Sequence, residues 1–147
     1  MTVKPIPVGY HTITPFFPVR DAKKIIRFLK LAFDAEEKEI HTDAEGKIMN
    51  AQLKIGDSFV MVGEVQTNTE ESKLLKSMIY MYVEDVDSVY KKAVKADGKS
   101  IMEPMDQFYG DRNGAVEDPA GNQWWIATHI EDLSREEIIQ RTAQQNK

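Results

Sequence analysis

No cysteine occurs among the 147 residues. Disulfides, thiolate nucleophiles and cysteine-bound metals are excluded at the outset. Histidine is nearly as scarce, with His11, His41 and His129 as the three copies, and no two have the spacing of a metal-binding pair. There is no glycine-rich phosphate loop and no nucleophile elbow. No apolar run approaches the length of a membrane span, and Met1-Thr2-Val3-Lys4-Pro5-Ile6-Pro7 has no signal-peptide core. The expectation is a soluble, cytoplasmic protein with no membrane partner. Acidic residues number 24 against 19 basic ones, for a net charge of −5, and the two signs are interspersed. Without a basic run or stripe, nucleic acid is not an expected partner.

What the chain does contain is an internal repeat at an offset of 64 residues, as between Val19-Arg20-Asp21 and Val83-Glu84-Asp85. The same offset relates Ala22 to Val86, Ile25 to Val89, Ile26 to Tyr90, Leu29 to Ala93 and Ala32 to Ala96. These are the apolar positions of one helix face, present in both halves. Asp21 and Asp85 stand where an N-cap belongs. Later matches, Gly56 with Gly121 and Phe59 with Trp124, need a one-residue slip.

The local patterns give each half the order strand, helix, then three strands. In the first half the predicted strands cover residues 10–19, 36–42, 47–55 and 58–63, with a helix over 22–33. Alternation over 47–55 places Met49, Ala51, Leu53 and Ile55 toward the helix, and Ile48, Asn50, Gln52 and Lys54 on the other face. In the second half the strands are 77–84, 99–103, 111–117 and 122–129. A helix follows Asp85 and stops at Gly98, and an irregular loop covers 104–109. Ser134 and Glu137 have capping-box spacing, which predicts a short terminal helix over 134–143. The expected fold is α+β: a single domain over 1–147, built of tandem βαβββ modules at 8–64 and 76–130, joined by a polar linker at 65–75.

This order of elements resembles the vicinal-oxygen-chelate superfamily of glyoxalase I, extradiol dioxygenases and bleomycin-resistance proteins. The likeness also rests on the helix openings at Asp21 and Asp85 and on Asp118-Pro119-Ala120-Gly121. The segments Gly9–Pro15, Gly46–Asn50, Tyr82–Asp87, Asp106–Arg112 and Ile126–His129 resemble its PhnB-like branch most. The resemblance implies curved mixed sheets enclosing a cleft, and a homodimer. In metal-dependent members four ligands come from repeat-related strand positions, which fall here at Thr14, Met78, Val60 and Trp125. None is His, Asp or Glu, so the resemblance implies no metal here, and no cofactor is expected. The branch often carries histidine where this chain has Asn50 and Asn122.

If Thr14 faces the cleft, strand parity brings Thr12, Phe16, Met78, Tyr80, Tyr82, Trp125 and Ala127 with it, then Asn50 and Gln52, and from the partner strand Arg112 and Val116. Tyr109 lies in the loop at the mouth. The expected ligand site is thus Thr14, Phe16, Asn50, Gln52, Tyr80, Tyr82, Tyr109, Arg112 and Trp125: an aromatic wall with amide handles and one guanidinium. Two functions remain open. One is a metal-free module that binds a small molecule. The other is an enzyme of the same superfamily, using displaced metal ligands or acid–base groups among Asp111, His129 and Tyr109, with Arg112 steadying an oxyanion.

Overall fold

The computed structural model describes residues 2–66, 68–70 and 74–145, so residues 67 and 71–73 of the predicted linker lie outside it. The first module runs β1 (Phe16–Val19), α1 (Ala22–Phe33), β2 (Glu36–Thr42), β3 (Ile48–Ile55) and β4 (Ser58–Glu64). The second runs β5 (Met78–Tyr82), α2 (Val86–Lys95), β6 (Lys99–Asp106), β7 (Asp111–Glu117) and β8 (Gln123–His129), followed by α3 (Arg135–Gln145). Each module forms its own four-stranded mixed sheet, ordered β1-β4-β3-β2 and β5-β8-β7-β6. In each, the first strand pairs parallel with the last and the other pairings are antiparallel.

Local chemistry explains the helices. The Asp21 side chain accepts from Lys24 N, and the Asp85 side chain from Ser88 N, each satisfying an otherwise free N–H of the first turn. Helix α1 buries Ile25, Ile26, Phe28, Leu29, Ala32 and Phe33 on one stripe. It stops at Asp34, whose left-handed φ of 55° turns the chain while the Asp34 and Ala35 amides close on Lys30 and Leu29 carbonyls. Ser134 Oγ accepts from Glu137 N at the start of α3. Among the described residues no helix is long and apolar enough to cross a membrane.

The modules share one core. Helices α1 and α2 lie against each other. Trp124 of β8 packs its ring on Phe17 and Phe33 of the first module, with centroids 5.4 and 5.0 Å away. The opposite face of each sheet carries no helix of its own module; the N-terminal segment lies over part of the first sheet's face, and the second sheet's face is open.

Four local expectations need correction. The first strand is Phe16–Val19 rather than 10–19. Pro15 has no N–H to offer, and Gly9, at φ +87°, turns the preceding segment back over the first sheet, where the Tyr10 ring stacks on Phe59 at 4.2 Å. Strand β6 continues past 103 to Asp106, through Pro104. It is an edge strand with two register shifts, so a residue without a ladder donor is tolerated there.

The third correction has the largest consequence. Met49, expected toward the helix, is 53% exposed, while Ile48, expected on the open face, is 5% exposed. Thr42 pairs with Ile48 and His41 with Asn50, so Met49 is an extra residue, a β-bulge that flips the parity of the strand start. Beyond the bulge Ala51 and Leu53 face the core as expected. Strand β7 has no such bulge, so the repeat offset is 64 at Gly46 and Gly110 but one less at Leu53 and Val116, both core residues. The fourth correction is Val60. It sits opposite Leu53 in the core, not on the open face; Met61 is its open-face neighbour, opposite Gln52.

Candidate functional site

Cross-strand partners share a face of a sheet. The register therefore defines the second sheet's open face: Met78, Tyr80 and Tyr82 from β5; Gln123, Trp125, Ala127 and His129 from β8; Asp111, Asn113, Ala115 and Glu117 from β7. Arg112 and Val116 lie on the other face, contrary to the parity expectation. The missing bulge shifts β7 by one residue relative to β3. Asn113, not Arg112 or Gly114, is thus the true counterpart of Asn50. Arg112 instead forks onto Asp87 of α2, with Nε and Nη2 each 2.9 Å from a carboxylate oxygen, and reaches Asp106 at 3.0 Å. These bonds push the Arg112 pKa further up and hold the Asp87 carboxyl below its ordinary value. Val116 is core.

A polar network organises one end of this open face. Asp111 is buried, and its Oδ2 accepts from the Tyr80 hydroxyl at 2.6 Å and the Tyr82 hydroxyl at 3.0 Å. Its Oδ1 lies 2.9 Å from His129 Nδ1. Asn113, fully buried, donates from Nδ2 to the oxygens of Tyr80 and Tyr109, while its Oδ1 accepts from Gln107. Three tyrosine hydroxyls are thereby fixed at one end of the face; the Tyr80 and Tyr82 rings meet edge to face, and Trp125 is the strand partner of Tyr80. Burial pushes the Asp111 carboxyl up, but the hydrogen bonds from Tyr80, His129 and Tyr82 outweigh it and hold the group below its ordinary range. Burial first, then the bond to Asp111, raises Tyr80; for Tyr82 the bond to Asp111 comes first. Both remain neutral phenols at neutral pH.

His129 has a carboxylate on each side, Asp111 at Nδ1 and Asp132 at Nε2, 2.8 Å away. Two acceptors call for two ring protons, and both bonds raise the histidine pKa. A raised folded-state value means that the stabilisation is complete below the ordinary histidine pKa and is lost as pH rises through the folded one. An NMR titration should place the His129 midpoint above the ordinary value of 6.5. Stability should fall with rising pH across that window, and His129→Gln should flatten the fall. A midpoint at or below the ordinary value would refute the clamp.

The other expected site residues form a separate group on the first sheet. Phe16 is exposed on its open face, opposite Met61. Gln52 accepts from the Tyr10 hydroxyl. Asn50 approaches Met61 Sδ at 3.9 Å through Nδ2, and its Oδ1 is buried with no partner. Residues 5–8 and 10–12 roof a cavity of about 690 Å³ over Gln52, Phe59 and Met61. Thr14 lies outside any strand, at the seam of the modules. It lines this cavity and a second one of about 810 Å³ that also touches Tyr80 and Tyr82. Within one chain, then, Tyr80, Tyr82, Tyr109 and Trp125 come together, Phe16, Asn50 and Gln52 form a distinct cluster, and Arg112 joins neither.

Asn113 and Tyr10 were not among the expected site residues. A signal for Asn113 was available: setting Ile48-Met49-Asn50-Ala51-Gln52-Leu53 against Asp111-Arg112-Asn113-Gly114-Ala115-Val116, residue for residue, matches asparagine with asparagine and Leu53 with Val116.

The four positions implied for a metal do not fit one. Val60 is in the core, and Met61, which takes its place on the open face, offers only a thioether beside Thr14, Met78 and Trp125. Such donors do not hold a hard or borderline divalent ion. Among the described residues no group of three or more His, Asp or Glu could hold a metal ion.

Comparison with known proteins agrees with this architecture. An uncharacterized protein of Mycobacterium tuberculosis H37Rv is 31% identical over 134 residues, covering 86% of this chain and 79% of that protein. An uncharacterized protein of Mycobacterium bovis is equally similar, with 88% of its length covered. Among solved structures, TioX from Micromonospora sp. ML1 is similar in fold, with a TM-score of 0.69 at 21% identity, covering 82% of this chain and 99% of TioX. So is a glyoxalase-related enzyme from Fulvimarina pelagi, with a TM-score of 0.64 at 16% identity, over 80% of this chain and 87% of that one. The family model for the Glyoxalase/Bleomycin resistance protein/Dioxygenase superfamily matches residues 10–126. The chain belongs to that superfamily.

Proposed function

We propose that the chain is a PhnB-like member of the superfamily that binds a small molecule on the open face of its second sheet, without a metal. One observation carries the reading. Buried Asp111 and Asn113 use their hydrogen-bonding capacity to hold Tyr80, Tyr82 and Tyr109 in place, with Trp125 on the same face as the strand partner of Tyr80. Ordered rings at an open surface lose little entropy on binding, and each stacked pair contributes about 0.5–1.5 kcal/mol. Exposed Met78 and Met105 flank them with adaptable apolar surface. Trp125→Leu should weaken a planar ligand by roughly 1 kcal/mol. Arg112→Ala should leave affinity unchanged, because the guanidinium lies behind the sheet. Calorimetric titration of the wild type and both variants checks this. Equal affinity for wild type and Trp125→Leu would count against the site.

The chain also acts as a homodimer. Phe16, Met78, Tyr80, Tyr82 and Met105 are exposed on open sheet faces. A second copy turning its first sheet toward this second sheet would shield the rims of both and leave a cleft between them, with Gln52 across from the tyrosine wall. Light scattering should give about twice the 16.8 kDa chain mass. A monomer that persists at concentrations of roughly tens of micromolar would refute it.

The competing reading, a metal-free acid–base catalyst, draws on the meeting of Asp111, His129 and Tyr109 in one network. Both nitrogens of His129 and both oxygens of Asp111 are already engaged. The Tyr109 hydroxyl accepts from Asn113 and keeps its own proton for a ligand. Arg112, facing α2, is not available for an oxyanion.

A further inference from the structure

The directions of the hydrogen bonds say which kind of ligand this face accepts. An ionised Asp111 only accepts. The Tyr80 and Tyr82 hydroxyl protons both point at its Oδ2, so the Tyr80 oxygen is left to accept from Asn113 and the Tyr82 oxygen keeps lone pairs for a visitor. Tyr82 is 63% exposed, so those lone pairs and its ring are within reach of solvent. Asp132, beyond His129, adds further acceptor capacity. Against these acceptors stand only neutral donors: the Tyr109 hydroxyl and the second amide proton of Gln107 at this end, and the Gln123 amide at the far end.

Charge points the same way. The tyrosine end carries the carboxylates Asp111 and Asp132 and a single compensating cation, His129, held between them. Glu131, just beyond the strand, is paired with Arg141. At the far end Lys99 stands opposite Glu117 in the ladder. Arg112, which would have favoured an anion, is bound behind the sheet by Asp87 and Asp106. Among the described residues of this face no cation is left without a facing carboxylate. The phenols also matter as rings. A hydroxyl that donates to a carboxylate shifts electron density into its ring, and this strengthens attraction for a cation above the ring face.

We infer that the open face of the second sheet recognises a cationic ligand: a protonated or quaternary amine seated at Tyr82, in the field of Asp111 and Asp132, carried on a flat or apolar body that stacks on Trp125. The inference rests on the small-molecule reading above and specifies its ligand class. An acidic ligand would meet two carboxylates and acceptor lone pairs, with only neutral donors, the Tyr109 hydroxyl and the Gln107 and Gln123 amides, to set against them.

The test is a matched series on one ring system, 2-naphthylmethylammonium, 2-naphthylmethanol and 2-naphthoate, titrated into the full chain and followed by NMR at Trp125 and the tyrosines. The amine should bind tightest and the carboxylate weakest, with roughly tenfold or more between them. The gap should narrow between ionic strengths of about 0.01 M and 0.15 M, since part of it is screened Coulomb attraction. It should also narrow in Asp132→Asn and in Tyr82→Phe, both checked for native circular dichroism. A carboxylate that binds as tightly as the amine, with the alcohol also bound, would overturn the ligand class and leave the small-molecule reading standing. Selectivity for the amine that survives both substitutions would place the cation elsewhere and overturn the assignment. If none of the three perturbs Trp125 or the tyrosines, the small-molecule reading falls together with it.

Discussion

Trp124→Ala should destabilise the protein by about 3–5 kcal/mol, while Trp125→Leu, one residue along, should cost less than about 1 kcal/mol. The contrast follows from alternation along β8. Trp124 is 2% exposed and is the largest fully buried side chain. Its ring meets Phe17 of β1 and Phe33 of α1, both of the other module, while Ile79 and Val116 flank it in its own sheet. Its indole N–H donates to Asp118 Oδ2 at 2.9 Å. Truncation opens a cavity where the modules join and leaves that carboxylate one donor short. A domain of this size has about 5–15 kcal/mol of total stability, so the loss is a large fraction of it. Trp125 faces the other way, and its N–H reaches only Gln123 of the same strand. Urea unfolding followed by far-ultraviolet circular dichroism measures both, without relying on the tryptophans as reporters. Equal losses would mean that the faces are misassigned. A Trp124→Ala transition that splits in two, with the first module unaffected, would show that the indole does not join the modules.

What the sequence made legible divides along physical lines. The helix starts were readable because a cap is a single side chain doing a local job: Asp21 and Asp85 announce themselves by type and position. The tandem organisation was readable because apolar helix faces repeat. The bulge at Met49 was not, since an extra backbone residue leaves no mark in composition, and an alternating reading across it assigns faces wrongly on one side. That single residue put Arg112 and Val116 on the open face and hid Asn113. An outward guanidinium would favour an acidic handle, whereas this face carries Asp111 and phenolic oxygens. Residues 10–15 alternate like a strand, yet ladder pairing needs donors and a neighbour, and Pro15 and the turn at Gly9 remove them. Pro104 argued for a loop, but β6 lies at a sheet edge, which tolerates a missing N–H. Aromatic residues at Tyr80, Tyr82 and Trp125 followed from parity alone, because β5 and β8 are short and unbroken.

Asp118→Ala should lower stability by about 3–4 kcal/mol, although Asp118 touches no part of the proposed ligand face. The residue opens the Asp118-Pro119-Ala120-Gly121 turn between β7 and β8 and is buried. Its Oδ1 accepts from the Ala120 and Asn122 amides, each at 2.9 Å, and its Oδ2 from Trp124 Nε1 at 2.9 Å and Asn122 Nδ2 at 3.2 Å. Asn122, oriented in this way, accepts the Ser77 amide on its own Oδ1 at 2.8 Å, which fastens the start of β5. The side chain thus ties the turn, the core indole and the first strand of the module. Alanine supplies no acceptor, and each buried donor left unpaired costs about 1–3 kcal/mol, reduced where water enters. Asparagine keeps one acceptor oxygen and should lose only about half as much. Denaturant midpoints at constant m-value give both numbers. Hydrogen exchange supplies a second readout, since the Ala120, Asn122 and Ser77 amides should lose protection together in Asp118→Ala. Folded Asp118→Ala should still bind an aromatic ligand as wild type does, because the turn lies at the Gln123 end of β8, away from Asp111 and His129. A loss below about 1 kcal/mol would mean that solvent satisfies the donors, and protection lost at Ala120 alone would mean that Asn122 holds β5 without help from Asp118.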